Sequence, residues 1–222
     1  MIRHEDKFII PAWDRQLLTS RLSLIMDKDP YAGADGMYEI YSLYFDDDAD
    51  SAYYDKCNGV ANRTKFRLRL YDRSTDMIKL EKKMRRGTVC FKESTAVTPE
   101  EAARITNRDT EWMLYDSRPL IRELYSLMIH RDLAPKSLVR YKREPFVWGN
   151  GNVRITFDSE ISAAVDHLDL TDFTDHYTQV TMQHIMEVKY TEFLPDIIRQ
   201  FIQCDAIAGS FSKYENSRID LR

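Results

Sequence analysis

Apolar and polar residues alternate with period two through much of the chain. In Arg63 to Tyr71, "RTKFRLRLY", Thr64, Phe66, Leu68 and Leu70 fall on one face and Arg63, Lys65, Arg67 and Arg69 on the other. Period-two or strand-like stretches predict strands at 1–10, 37–46, 63–71, 77–83, 87–97, 136–148, 153–161 and 181–190. The period changes to that of a helix at Trp13–Met26, where Leu17, Leu18, Leu22, Ile25 and Met26 share a side. It does so again at Leu120–His130, with Ile121, Leu124, Tyr125 and Met128, and at Leu194–Cys204. "TPEEAAR" begins a further helix, with Thr98 as N-cap, Pro99 at the first helical position and glutamates in the first turn. Turn residues separate these segments, and "GNGN" is a hairpin signal between two strands. "DDDADSAYYDKCNGVAN" is a long connection with room for a short helix, and the tail "SFSKYENSR" is irregular or a short helix. Strands joined mostly by hairpins favour an antiparallel α+β architecture over a doubly wound one.

Composition narrows the class. A chain of 222 residues, 43% hydrophobic and 12% aromatic, is expected to form one domain, 1–222, with a substantial core. Without an apolar run of about 18 residues and without the apolar segment of a signal peptide, it is expected to be soluble and cytoplasmic, with no membrane segment of its own. Cys57, Cys90 and Cys204 show no zinc or redox spacing and read as reduced thiols. His4, His130, His167, His176 and His184 are scattered without metal-ligand spacing and read as surface or structural residues. The "DDDAD" run lacks the alternating ligands and glycine of a calcium loop and reads as a solvated turn, from which only Asp46 has a place on the charged face of a strand. The net charge of −4 argues against a nucleic-acid partner, although a local cationic cluster can still bind a compact polyanion.

Charge sorting recurs on strand after strand. Arg3, Glu5 and Lys7 share a face in the first; Ser42, Tyr44 and Asp46 oppose Leu43 and Phe45; Lys79, Glu81 and Lys83 oppose Ile78 and Leu80. Arg154, Thr156 and Asp158 oppose Val153, Ile155 and Phe157, and Glu187 and Lys189 oppose Met186, Val188 and Tyr190. "VRYKREPF" adds Arg140, Lys142 and Arg143 in an ambiguous register. A one-sided sheet with its charges in water accounts for any one of these strands. Rows of cations on several strands repel one another on an open surface. A closed barrel, with apolar faces outward under helices and charged faces inward around a bound polyanion and metal, accounts for the set. Arginine donates bidentately to phosphate, and carboxylates suit hard divalent cations.

The motifs "RHEDKF", "YSLYFD", "KFRLRLY", "IKLEKK", "RYKREPF", "VRITFD", "MEVKY" and "SFSKYE", in this order and phase, resemble the triphosphate tunnel metalloenzyme superfamily. Within it they resemble the polyphosphate polymerase domain of the vacuolar transporter chaperone family. The resemblance implies a closed antiparallel eight-stranded β-barrel with helices packed outside. It implies that Lys7, Arg67, Arg69, Lys83, Arg143 and Arg154 grip the phosphates of substrate or chain. Lys189 and Lys213 add phosphate contacts, with Lys92 and Arg140 as further cations, Arg140 being either a tunnel residue or a structural one. Glu187 is the implied ligand of Mn2+ or Mg2+, with Glu5 and Glu81 as second carboxylates, direct or through water.

Many members of the superfamily open with an alternating Glu-x-Glu-x-Lys pattern. Arg3 replaces the first glutamate here, which shifts the site from metal towards phosphate binding. The implied reaction transfers the γ-phosphate of ATP to inorganic phosphate or a growing polyphosphate chain. The alternatives are hydrolysis of tripolyphosphate or a nucleoside triphosphate on the same site, and a non-catalytic module for polyphosphate or inositol phosphates. The membrane domains that accompany the eukaryotic polymerase domain are not in this sequence, so the resemblance leaves two alternatives, a stand-alone catalyst or a subunit of a membrane-protein partner.

Overall fold

The computed structural model describes residues 4–87, 89–174 and 176–219; the Arg3 position of the first motif lies outside them. The chain runs β1 (His4–Ile10), α1 (Ala12–Leu22), β2 (Asp27–Lys28), β3 (Tyr38–Asp46), α2 (Ser51–Cys57), β4 (Asn62–Tyr71), β5 (Ser74–Arg86), β6 (Val89–Val97), α3 (Pro99–Thr106) and α4 (Pro119–His130). It continues through β7 (Ala134–Trp148), β8 (Val153–Ala164), β9 (Thr178–Gln179), β10 (His184–Tyr190), α5 (Asp196–Phe201), β11 (Ile207–Ala208) and α6 (Lys213–Ile219). Short 3-10 turns cover Glu111–Tyr115 and Asn150–Asn152. The second of these is the "GNGN" connection, where Gly151 takes φ 76°. A side chain there is strained in that conformation.

The sheet has eleven strands in the order β11-β1-β10-β8-β7-β3-β4-β5-β6, with β2 added on β7 and β9 on β8. Every register recorded is antiparallel. The expected closed eight-stranded barrel is therefore corrected to an open eleven-stranded sheet, ending at β11 and β6 with no pairing between them among the described residues. The three unpredicted strands, β2, β9 and β11, are two residues long and too short to carry a periodic signal. β6 is exposed along most of its length and bears Lys92 and Glu93, the charged composition that protects a free edge. No helix among the described residues is long and apolar enough to cross a membrane.

The chain divides into two compact units. One comprises Met1–Glu39, Tyr141–Ile161 and Thr181–Ser212; the other comprises Ile40–Arg140, Ser162–Val180 and Lys213–Arg222. In the first, the apolar faces of β1, β8 and β10 supply Ile10, Val153, Ile155, Phe157, Met186 and Val188. Leu18 and Leu22 of α1 and Ile198 of α5 close over them. In the second, Tyr41, Leu43 and Phe45 of β3, Phe66, Leu68 and Leu70 of β4, and Ile78 and Leu80 of β5 form the core. Ile105 of α3 and Leu120, Ile121, Leu124 and Met128 of α4 cover it. The expected arrangement of apolar strand faces under helices thus holds in each unit.

Local chemistry sets the helix starts. Thr98 accepts from the Glu101 amide while the Glu101 carboxylate accepts from the Thr98 amide, a reciprocal capping box, and Pro99 follows at the first position. Asp46 ends β3 and turns back to hold the next helix. Its carboxylate accepts from the Asp47, Ala52 and Tyr53 amides at 3.0, 2.8 and 3.0 Å and from the Tyr214 hydroxyl at 2.7 Å. Asp46 therefore fixes α2 and α6, and its hydrogen-bonding capacity is spent on structure.

Leu68 is completely buried between β4 and α4. Leu68→Ala is expected to cost about 2–5 kcal/mol, read as a lower urea midpoint.

Candidate functional site

The polar faces of the strands carry two charged clusters, one in each unit. In the first unit, β1 and β10 pair Glu5 opposite Lys189 and Lys7 opposite Glu187, so each acid meets a base across the ladder. Lys7 Nζ lies 3.3 Å from Glu5 Oε1 and 3.3 Å from Glu187 Oε1. Lys189 Nζ lies 2.8 Å from Glu187 Oε2. Arg143 on β7 donates to both oxygens of the fully buried Asp158 at 2.6 and 2.7 Å, and its Nη2 lies 3.5 Å from Glu187. Arg154, paired with Lys189 across β8 and β10, is held by Asp29 at 2.6 Å and by the Tyr38 hydroxyl at 2.7 Å.

Burial would raise the pKa of Glu187, but Lys7, Lys189 and Arg143 outweigh it and hold the carboxyl well below its usual range. Burial would lower that of Lys7; Glu187 and Glu5 prevail and raise it. For Lys189 the balance falls the other way. Burial, with Arg143 nearby, lowers its pKa to about 8 despite the Glu187 partner. This lysine changes charge near neutrality.

Glu5 and Glu187 point carboxylate oxygens at one cationic position, which Lys7 Nζ reaches. Oxygen donors converging in this way fit a hard divalent ion such as Mn2+ or Mg2+. Lys7, Lys189 and Arg143 stand around them to receive the oxygens of a phosphate.

The cluster of the second unit is far more cationic. Arg67 gives Nε and Nη2 to Glu81 Oε2 at 2.7 and 2.6 Å, Arg69 Nη1 stands 3.9 Å away, and Lys92 pairs with the other oxygen. The register places Arg67 beside Tyr44 on one side and Glu81 on the other, Arg69 beside Ser42, and Lys83 between Lys65 and Lys92. Arg69 Nε donates to Ser42 Oγ at 3.1 Å, and Arg67 Nη1 to the Tyr44 hydroxyl at 3.2 Å. Along β4–β6 this face carries Arg63, Lys65, Arg67, Arg69, Lys79, Lys83, Arg85 and Lys92, with Glu81 as its carboxylate among the described residues.

Burial would raise the pKa of Glu81, yet Arg67, Arg69 and Lys92 bring it down to about 2. Burial also opposes ionisation of Tyr44, but Arg67, Arg69 and Lys213 draw its hydroxyl down to about 8. Lys65, over the Tyr214 ring at 5.1 Å, is lowered by burial to about 8.

The expected site residues thus fall into two sets. Glu5, Lys7, Arg143, Glu187 and Lys189 come together in the first unit, with Arg154 on the same face of the sheet. Arg67, Arg69, Glu81 and Lys92 come together in the second, with Lys83 on the adjoining ladder and Lys213 close enough to act on Tyr44. The Arg140 guanidinium lies 4.4 Å over the Tyr177 ring. Asp158 and Ser42 received no role from the sequence, and Tyr44 read as a packing aromatic. Their signal was their phase, because each shares its strand face with, or directly opposes, an expected cation.

A comparison with known proteins adds the following. The family model of the VTC domain matches residues 2–221. No curated protein matches the chain. Among solved structures, a Bacillus halodurans protein described as a candidate adenylate cyclase is similar over 86% of this chain and 83% of its own. The sequence identity is 13% and the TM-score 0.53, a likeness of fold. The PH1819 and PH1012 proteins of Pyrococcus horikoshii each align with 90% of this chain, over 84% and 85% of their own lengths. Both are 11% identical, with TM-scores of 0.42 and 0.44.

Two expectations follow from the charges. Asp158→Asn removes the counter-charge of a buried guanidinium and is expected to destabilise the protein by about 3 kcal/mol, read by urea denaturation. Lys189 is cationic below its pKa of about 8 and neutral above it, and an anion favours the cation. Affinity for inorganic tripolyphosphate, measured calorimetrically, is therefore expected to fall as pH rises from about 7 to about 9.5. Lys189→Arg, which stays charged, should shift that fall to higher pH.

Proposed function

The chain belongs to the VTC domain family, and from that premise we propose that it is a metal-dependent polyphosphate polymerase. It would transfer the γ-phosphate of ATP to inorganic phosphate or to the end of a growing polyphosphate chain. The observation that carries the proposal is the unequal charge of the two clusters. Glu5 and Glu187 converge on the position that the Lys7 ammonium fills, where a divalent cation would fit with Lys7 moved onto phosphate, and Lys189 and Arg143 stand beside it. The face of β4–β6 sets Arg67, Arg69, Lys83 and Lys92 around Glu81, an excess of cations suited to phosphate.

Phosphoryl transfer depends on positioning and neutralisation of charge more than on a protein nucleophile. Arg67 and Arg69, oriented by Glu81, Tyr44 and Ser42, bind and align phosphate oxygens. Arg143 is fixed by both oxygens of Asp158 through Nε and Nη2, which leaves the N–H groups of Nη1 for substrate, and Lys7 and Lys189 add ammonium groups. Within the first unit, a Mn2+ or Mg2+ ion held by Glu187 and Glu5 would supply charge neutralisation to the phosphate oxygens that Lys7, Lys189 and Arg143 receive. In the transfer, an oxygen of the acceptor phosphate forms a bond to the γ-phosphorus as the bond to the ADP oxygen breaks. Glu81, engaged by Arg67 and Lys92, serves here as the orienting carboxylate of the arginines. With water as acceptor, the same residues would support hydrolysis.

Purified protein incubated with ATP and Mn2+ is expected to yield a ladder of long polyphosphate on a urea gel, with stoichiometric ADP. Release of free phosphate without polymer would replace the polymerase with a triphosphatase. Tight tripolyphosphate binding without turnover in Mn2+ or Mg2+ would replace both with a binding module. Glu187→Gln is expected to reduce metal-dependent turnover by at least about 100-fold, the order lost with a major electrostatic group, while the far-ultraviolet circular dichroism is retained. Turnover equal to the unmodified protein would reject its role.

A further inference from the structure

Two of the histidines read from the sequence as surface or structural residues come together in the second unit. His167, Asp172 and His176 lie on the segment between β8 and β9. One ligand atom from each comes within 4.8 Å of the others. His167 Nε2 is 2.7 Å from Asp172 Oδ2, and the two imidazole rings stand 4.8 Å apart, tilted by 49°. The sequence spacing carries no familiar metal motif because turns, and not a helix or strand, assemble the group.

The segment is anchored on both sides of these residues. β9 pairs with β8 through Ser162 opposite Gln179 and Ala163 opposite Thr178, which closes the loop. Within it, Leu170 is buried in the core, and Leu168, Phe173 and Tyr177 pack against that core. Phe173 and Tyr177 both stack edge-on against Tyr41, at 5.3 and 6.3 Å. The apolar residues thus alternate with His167, Asp172 and His176 and hold the backbone down, leaving the polar side chains together at the surface. The other oxygen of Asp172 accepts from the Thr174 amide at 2.9 Å, which orients the carboxylate as an outer partner orients a metal ligand.

We propose that His167, Asp172 and His176 form a binding site for a borderline divalent transition ion of the Zn2+ class, with solvent completing its coordination. Two imidazoles and one carboxylate suit zinc and its neighbours in the first transition row, in contrast to the all-oxygen pair Glu5 and Glu187. Bonds of about 2.0–2.1 Å place tetrahedral ligand atoms roughly 3.3 Å apart. The ligand atoms now lie within 4.8 Å of one another, so binding draws them closer, a movement that the exposure of His176 leaves room for. The ion would clip a loop whose aromatic residues rest on Tyr41, next to Ser42, the acceptor for Arg69.

The test uses the full chain, freed of metal by chelation and titrated with Co2+ as a spectroscopic probe for zinc. The expected result is a visible d–d band characteristic of imidazole ligation, displaced by an equivalent of Zn2+. The band should persist in Glu187→Gln, which separates it from the oxygen-ligand site. His176→Ala should weaken Co2+ binding by more than about tenfold, since even an outer partner is worth that much. His167→Ala should abolish the band. Long-range proton–nitrogen-15 NMR of the unmodified protein should show the ring nitrogens of both imidazoles shifting together on adding Zn2+, independent of whether a variant folds. A Co2+ spectrum without the imidazole band, or one unchanged by His176→Ala, would overturn the proposal and leave His167 and Asp172 as a simple hydrogen-bonded pair.

Discussion

Cations can be crowded on a half-buried strand face only where a carboxylate stands among them. Each unit solves this with one deeply placed glutamate. Glu187 is encircled by Lys7, Lys189 and Arg143, and Glu81 by Arg67, Arg69 and Lys92. In both, the loss of hydration on burial opposes ionisation, and the surrounding cations overcome it. The glutamates remain acceptors near neutral pH, and each arginine is held in a defined orientation before any ligand arrives. Such pre-orientation reduces the ordering cost of gripping a phosphate.

The two clusters differ in what the remaining charges do. In the first unit, Glu5 and Asp158 join Glu187, so acids and bases are nearly matched, and the oxygen donors suit a metal. In the second, Lys65, Lys83 and Lys92 extend the cationic ladder beyond Glu81. Burial lowers Lys65 and Lys189 to a pKa of about 8, so the field of either face responds to small changes of pH. This partition accords with a phosphoryl-transfer or phosphate-binding role for a VTC domain chain.

Period-two sorting made the long strands and the membership of each face recognisable in advance. The helical stripe over Leu120–His130 likewise identified α4, and the Thr98 N-cap with Pro99 at the first helical position identified α3. The forecasts of α1 and α5 ran past the observed ends. α1 stops at Leu22 and α5 covers only Asp196–Phe201, because turns take over where apolar spacing alone would continue the helix. β2, β9 and β11 left no pattern at two residues each. Their existence depends on a neighbour's backbone being in reach.

The amino-acid order alone decides which side chains share a strand face, because alternation is a local property of extended backbone and needs no partner. That was enough to put Arg67 with Arg69, and Glu187 with Lys189. It was not enough to choose partners, since contacts such as Lys7 with Glu187 and Arg154 with Asp29 join residues far apart in the chain. Tertiary register assigned Glu81 to Arg67, sent Arg140 to the Tyr177 ring and left the sheet open at β6. Loop packing gathered His167, Asp172 and His176, whose sequence spacing says nothing about their proximity. Each of these outcomes rests on where separate segments meet, and that is set by core burial and backbone pairing across the whole unit.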